Sequence, residues 1–379
     1  SGGDGGMKWE IAKLGKIAII RTGKLDSNAA VIGGRYPFFT CDPNTLSIDV
    51  WAYDTEAVLL AGNNASGNYT AKYYKGKFNA YQRTYIIESA DEEKLNIRYF
   101  CYALNQQLRL LKTMSSGSTT KFLTVRMLDN LDIPLPSINI QTEIVNILSA
   151  YDDLIENNQK QIKLLEEAAQ RLYKEWFVDL RFPGHENTKI VDGVPEGWNE
   201  KTLSQVANVI MGQSPKSEFY NSEKKGLPFH QGVGSYGVRF VMDDIYSTSY
   251  TRIAEPNSIL FSVRAPVGRL NITKNKVVIG RGLAAINQTD GCQSYLYYLL
   301  KNRFFKDNIV GNGSIFASVS KDELLNQKFL IPERNLMMQF EKIVSQMDKQ
   351  IENLDSKNKK LIEARDRLLP KLMSGEVEV

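Results

Sequence analysis

Apolar side chains recur along two stretches of the chain with a step of +4, +3. Ile144, Leu148, Tyr151, Ile155, Asn158, Ile162, Leu165, Ala169, Leu172 and Trp176 form the first series. Phe340, Val344, Met347, Ile351, Leu354, Asn358, Leu361, Arg365, Leu368 and Leu372 form the second, at a constant offset of 196. A 3.5-residue period sustained over four heptads predicts a long helix with a coiled-coil seam. Each helix covers at least the span 144–176 or its counterpart, about 50 Å at 1.5 Å per residue. Elsewhere the pattern is shorter. Runs such as Ile17-Ala18-Ile19-Ile20, Tyr85-Ile86-Ile87 and Lys276-Val277-Val278-Ile279 read as strands between Gly, Asn, Ser and Pro turns, with helical patterns near 93–112 and 293–309.

The chain also repeats once. Trp9, Leu14, Ala18 and Gly23 return as Trp198, Leu203, Ala207 and Gly212 at an offset of 189. Pro37-Phe38 returns as Pro228-Phe229, Ser116-Gly117-Ser118 as Asn312-Gly313-Ser314, and Ile133-Pro134 with Gln141 as Ile331-Pro332 with Gln339. The expected organisation is a first globular domain over 7–138, a spacer helix over 139–182, a linker and second domain over 183–336, and a second spacer helix over 337–379. The fold class is α+β: two mixed domains joined by two long antiparallel helices in a pseudo-twofold arrangement. In a centred antiparallel pairing the fifth seam position of one helix faces the sixth of the other. Asn158 and Asn358 would then meet and fix the register.

Composition narrows the chemistry. Three widely spaced cysteines form no CxxC, and there are only two histidines, which disfavours a disulfide framework, a zinc site or most Ser-His-Asp chemistry. The cysteine usage and the lack of a long apolar run suit a reducing cytoplasm. Residues Ser1 to Gly6 read as an expression scar. Gly232-Val233-Gly234-Ser235-Tyr236-Gly237 matches GxGxxG, but the following residues read as strand where a dinucleotide site needs a helix. No other catalytic motif is complete. Net charge is +4 for the chain, with an excess of +4 within 7–138 and +5 within 195–338. Two basic modules on a spacer point to two contacts with one polyanion.

The stretch Leu172-Tyr173-Lys174-Glu175-Trp176-Phe177-Val178-Asp179 with Phe182-Pro183-Gly184, then Asp192-Gly193-Val194-Pro195-Glu196-Gly197-Trp198, resembles the specificity subunit of type I restriction-modification systems. So do Gly117-Ser118-Thr119, Ile133-Pro134-Leu135-Pro136 and Pro228-Phe229-His230-Gln231-Gly232. The resemblance covers nearly all of 7–379; Ile315 departs from it where the first copy has Thr119. It implies a non-catalytic subunit with two target-recognition domains, each reading half of a split double-stranded DNA site. The helices would set the spacer and dock two modification subunits, through which restriction subunits join. S-adenosylmethionine, ATP and Mg2+ would belong to those partners, and the isolated chain could self-associate. Two other readings are a coiled-coil adaptor with two protein-binding modules and a fused restriction–methylation enzyme, the latter lacking its motifs here.

Arg suits guanine and Asn or Gln suits adenine in the major groove. The residue types and turn positions nominate Asn63, Asn64, Ser66, Lys72, Tyr81, Gln82 and Arg83 in the first domain. In the second they nominate His230, Gln231, Tyr236, Arg239, Arg264, Arg269 and Arg281. Gly117, Ser118, Gly313 and Ser314 suit phosphate, since glycine turns expose backbone N–H groups; Lys24 and Lys216 are further candidates. Glu156, Gln159, Lys163 and Glu166, with Glu352, Asp355 and Lys359, are candidate docking positions on outward helix faces.

Overall fold

The computed structural model describes residues 9–63, 69–114, 123–304 and 318–379. The chain forms two compact units: residues 1–159 with 356–379, and residues 160–355. The division therefore falls inside the long helices, not at their ends.

In the first unit, β1 (Ile11–Lys13), α1 (Leu14–Ile17) and β2 (Ala18–Thr22) open the chain. They are followed by β3 (Tyr36–Phe39), β4 (Leu46–Ile48), β5 (Tyr53–Ala61), β6 (Ala71–Ala80) and β7 (Thr84–Ser89). Then come α2 (Ile97–Met114), α3 (Val125–Asp129), β8 (Asp132–Pro134) and the long α4 (Ile138–Phe177), of which this unit holds the part up to Gln159. Six strands form one sheet in the order β2-β7-β5-β6-β3-β4. All its pairings are antiparallel except β3 with β6, where Phe38 faces Asn79 and Phe39 faces Ala80. The core lies between that sheet and α2, from Val58, Leu60 and Ile87 to Tyr99, Phe100 and Leu104. α2 begins at Ile97 and not near 93 because Asn96 caps it. Its side-chain oxygen accepts from the Arg98 and Tyr99 N–H groups at 3.0 and 3.1 Å, satisfying donors that have no helical partner.

The second unit repeats this order. After β9 (Ile190–Val191) and β10 (Val194–Pro195) come β11 (Asn199–Thr202), α5 (Leu203–Val206), β12 (Ala207–Met211), β13 (Tyr220–Asn221), β14 (Leu227–His230) and β15 (Tyr246–Ser247). β16 (Ile253–Ala254), β17 (Ile259–Ser262), β18 (Leu270–Ile272), β19 (Val277–Ile279) and β20 (Leu283–Gln288) follow. α6 (Gln293–Phe304), α7 (Lys321–Leu325), β21 (Lys328–Ile331) and the long α8 (Arg334–Ser374) complete the series. β14 runs parallel to β19, Phe229 facing Val278 and His230 facing Ile279, as β3 does to β6. The counterparts of β5 and β6 are each broken in two, so the strands divide between sheets β12-β20-β17-β18 and β13-β15-β14-β19-β16. The first break, between β16 and β17, contains Asn257 at φ +64°; the unbroken β6 carries Gly76 at φ +130°.

The helices pack against their own unit and against each other. In the first unit Ile144 and Leu148 share the core with Leu369, Leu372 and Met373. Ascending numbers on α4 thus meet descending numbers on α8, which is antiparallel. Asn158 donates from its amide to Asn358 Oδ1 at 2.8 Å, and the Asn358 amide donates to Ile155 O at 3.4 Å. In the second unit Tyr173, Trp176 and Phe177 surround Phe340, with ring centroids 5.9, 6.0 and 5.2 Å from it. Trp198 packs on Phe177 at 6.0 Å. Such aromatic pairs each add about 0.5–1.5 kcal/mol beyond area burial. α4 stops at Phe177, short of 182, where Leu180 turns to φ +57° and the Asp179 N–H donates back to Lys174 O.

Polar anchors complete each unit. Gln141 is fully buried and ties the start of α4 to the start of α2: its oxygen accepts from Asn96 N, and its amide donates to Lys94 O and Pro136 O, each at 2.8–2.9 Å. Gln339, its match in the repeat, is exposed instead. The corresponding task in the second unit falls to Glu341, which accepts from the Ser294 and Tyr295 N–H groups at 3.2 and 3.0 Å. Among the described residues no group of His, Cys, Asp or Glu could hold a metal ion, and no helix is long and apolar enough to cross a membrane. The three cysteines are free. Burial pushes the Cys101 thiol up to about 12 and the Cys292 thiol up to about 11, far from nucleophilic at neutral pH.

Candidate nucleic-acid interface

The second unit carries a built polar cleft where β14 and β19 end side by side. The Gly280 N–H donates to His230 O at 2.8 Å, and the Gly282 N–H donates to Gln231 O at 3.1 Å. Between them, the Arg281 N–H donates to Ser214 Oγ at 3.2 Å, and the Ser214 hydroxyl donates to Gln231 Oε1 at 2.8 Å. Both Gln231 and Arg281 are exposed. A Cβ on Gly280 would stand 2.7 Å from Gln231 Oε1, and one on Gly282 would stand 2.5 Å from Gln231 O, so only glycine lets the two segments approach this closely. The cleft, about 1120 Å³, is also lined by Lys216, Tyr220 and Phe229. Cationic side chains and an amide facing one open cleft suit the base edges and phosphates of a nucleic acid.

Two residues nominated for base contact work from beneath. His230 is fully buried, its ring nitrogens 2.9 Å from Ser235 Oγ and 3.2 Å from the Asp243 carboxylate. It holds the 231–235 loop and cannot reach a base. Tyr236 spends its hydroxyl on Leu260 O at 3.0 Å, and burial raises the phenol's pKa far above neutral, keeping it a donor.

Arg239 is likewise a correction. It is only 2% exposed, and its guanidinium donates to Glu166 at 3.2 Å, to Tyr298 Oη at 3.1 Å and to Asp348. The Tyr297 ring lies 4.5 Å beneath it. One arginine thus ties the globular part of the second unit to both of its helix segments. Lys274 adds a second tie, 2.6 Å from Asp355. Glu166 and Asp355 therefore face their own domain and are not outward docking positions. The first unit makes the same kind of joint with different residues. Tyr102 donates to Asp152, which also accepts from Arg365 at 2.7 Å, while Arg98 reaches Asp153 at 3.1 Å.

Arg264 and Arg269 are exposed on the β17–β18 connection. Neither lines the Gln231 cleft; Arg269 lines a smaller one with Val238 and Lys301.

In the first unit, Tyr81, Gln82 and Arg83 form the β6–β7 turn, the same slot as Gly280, Arg281 and Gly282. The Tyr81 N–H donates to Phe39 O, as Gly280 does to His230 O, and the Gln82 N–H donates to Leu25 O, each at 2.9 Å. Gln82 and Arg83 are exposed. Lys72 is half-buried on β6, with Nζ 3.2 Å from Thr45 Oγ1 and its pKa lowered by burial. Asn63 lies two residues beyond β5, partly buried. Asn64, Ser66, Gly117, Ser118, Gly313 and Ser314 lie outside the described residues.

Known proteins share this organisation. Residues 7–167 and 195–364 each match the type I restriction modification DNA specificity domain. The chain is 29% identical, over 81% of its length and 74% of the relative's, to a protein of Methanocaldococcus jannaschii assigned as the MjaX type I restriction enzyme specificity subunit. It is 32% identical to the EcoDI specificity subunit of Escherichia coli over 54% of this chain and 50% of that one. The crystal structure of a type I restriction-modification S subunit from M. genitalium superposes with a TM-score of 0.63 at 19% identity, covering 98% of this chain and 97% of that one. The twice-matched domain and the shared fold place this chain in the type I restriction-modification specificity subunit family.

Proposed function

We propose that each of the two domains reads one half of a split double-stranded DNA sequence and that the chain itself performs no catalysis. The observation that carries this reading is the repeated slot. The turn after the parallel-paired strand presents Gln82 and Arg83 in one domain and Arg281, beside Gln231, in the other, on frameworks whose strands follow the same order although two are broken in the second. The helices, paired as an antiparallel coiled coil with pseudo-twofold symmetry, set the distance between half-sites and dock two modification subunits. Those partners bind S-adenosylmethionine, and ATP and Mg2+ serve the restriction subunits.

Mapping adenine methylation across the genome by single-molecule sequencing, with and without this gene, tests the reading. Loss of one two-part motif is expected. Exchanging 7–138 for the same segment of a relative should then change one half-site only, and adding a heptad to both helices should change the spacer. A methylation pattern indifferent to the gene would return the adaptor reading to first place, and DNA affinity insensitive to salt would do the same.

A further inference from the structure

The contacts around Gln231 fix more than its position. Ser214 Oγ already accepts from the Arg281 N–H, and its own proton goes to Gln231 Oε1. That oriented chain leaves the Gln231 Nε2 donors and the second lone pair of Oε1 for a ligand. A donor and an acceptor side by side match the N7 and N6 groups of adenine, whereas a guanidinium fork matches O6 and N7 of guanine. The Gly282 N–H is bonded to Gln231 O, so the backbone segments that carry the two reading groups are tied together. Gly280 is required for it, since any Cβ would strike Gln231 Oε1.

We propose that Gln231 and Arg281 are the specificity-determining pair of the second domain, Gln231 reading an adenine and Arg281 a guanine within one half-site, with Ser214 setting the amide and Lys216 contacting phosphate. The assignment rests on the reading that this domain binds DNA. It goes beyond that reading by naming the bases and the residues that discriminate them.

The test uses the complex of the full chain with its modification subunits. The methylation motif supplies the parental duplex, and a panel carries each single base-pair change in both half-sites. Gln231→Ala should lose discrimination of about tenfold or more at one A·T pair, leaving every other position as before. Gln231→Glu, which keeps the acceptor for Ser214 but replaces the donor, should move the preference at that position toward cytosine. Arg281→Ala should act the same way at one G·C pair, and Lys216→Ala should weaken all duplexes alike. Equal weakening of every duplex by Gln231→Ala, or a profile identical to the parent, would overturn the proposal. In either case a motif that still depends on the gene would leave the bipartite reading standing.

Discussion

Asn158 and Asn358 stand 200 residues apart in sequence and share a hydrogen bond of 2.8 Å between their side chains. Both are buried, with Ile155 and Leu361 as neighbouring seam positions. Replacing Asn158 by Leu would strand the side-chain oxygen of Asn358 and cost about 1–3 kcal/mol. Replacing both by Leu should return most of that stability, or exceed the parent, because an apolar pair needs no partners. Chemical denaturation of the two singles and the double gives the coupling; strictly additive losses would mean that the amides act independently.

Arg239 offers a sharper loss. Arg239→Met removes the cation facing Glu166 and Asp348 while keeping the volume. Leaving these partly buried carboxylates without their cation costs up to about 3–5 kcal/mol. Arg264→Met, at an exposed position, should leave the melting temperature unchanged. Equal effects of the two would refute the anchoring role.

Gln141→Leu should destabilise by at least about 2 kcal/mol, since it orphans one buried N–H and two carbonyls at the α2–α4 joint. Gln339→Leu should have little effect. Thermal melts of the two variants decide the matter, and a reversed order would show that the joint is held elsewhere.

Glu341 makes stability depend on pH in a definite direction. Burial raises its carboxyl pKa above the ordinary value, outweighing the opposing pull of the Tyr295 and Ser294 N–H donors. A raised folded value means that the native state keeps this proton to higher pH than the unfolded chain does. The stabilisation is complete below the ordinary carboxylate value near pH 4.3 and is lost as pH rises through the folded value. Glu341→Gln carries no such slope. Denaturation midpoints should therefore show the parent losing ground to Glu341→Gln as pH rises above about 4.3. A parent that instead gains on the variant would mean that the backbone donors dominate.

The long helices were legible because a 3.5-residue period survives in any context, and counting seam positions was enough to bring Asn158 to Asn358. The geometry of the proposed reading corner was half legible. Gln82, Gln231 and Arg281 have the right chemistry on turns, but Ser214 matters only through Gln231 and Arg281, which lie 17 and 67 residues away. Arg239 was misplaced for a related reason. Its loop has the polar, glycine-containing look of a surface, with Val238 beside it fully exposed. Its partners are 73 and 109 residues distant, and burial is set by such distant neighbours. His230 was misread in the same way, as a donor at the surface when it is a pillar under it. Gln141 and Gln339 show a third limit: a residue can repeat in sequence while its task passes to a neighbour, here Glu341.

The two compact units are unequal in one respect that bears on how the protein is made. Residues 160–355 are contiguous, whereas the first unit needs both 1–159 and 356–379. A chain emerging from the ribosome N-terminus first therefore holds everything the second unit requires before the first unit can close. Until Leu369, Leu372 and Met373 are synthesised, the core that holds Ile144 and Leu148 lacks the side chains α8 gives it. The domain encoded first is completed last, and nascent chains arrested near residue 355 would present that incomplete core to chaperones.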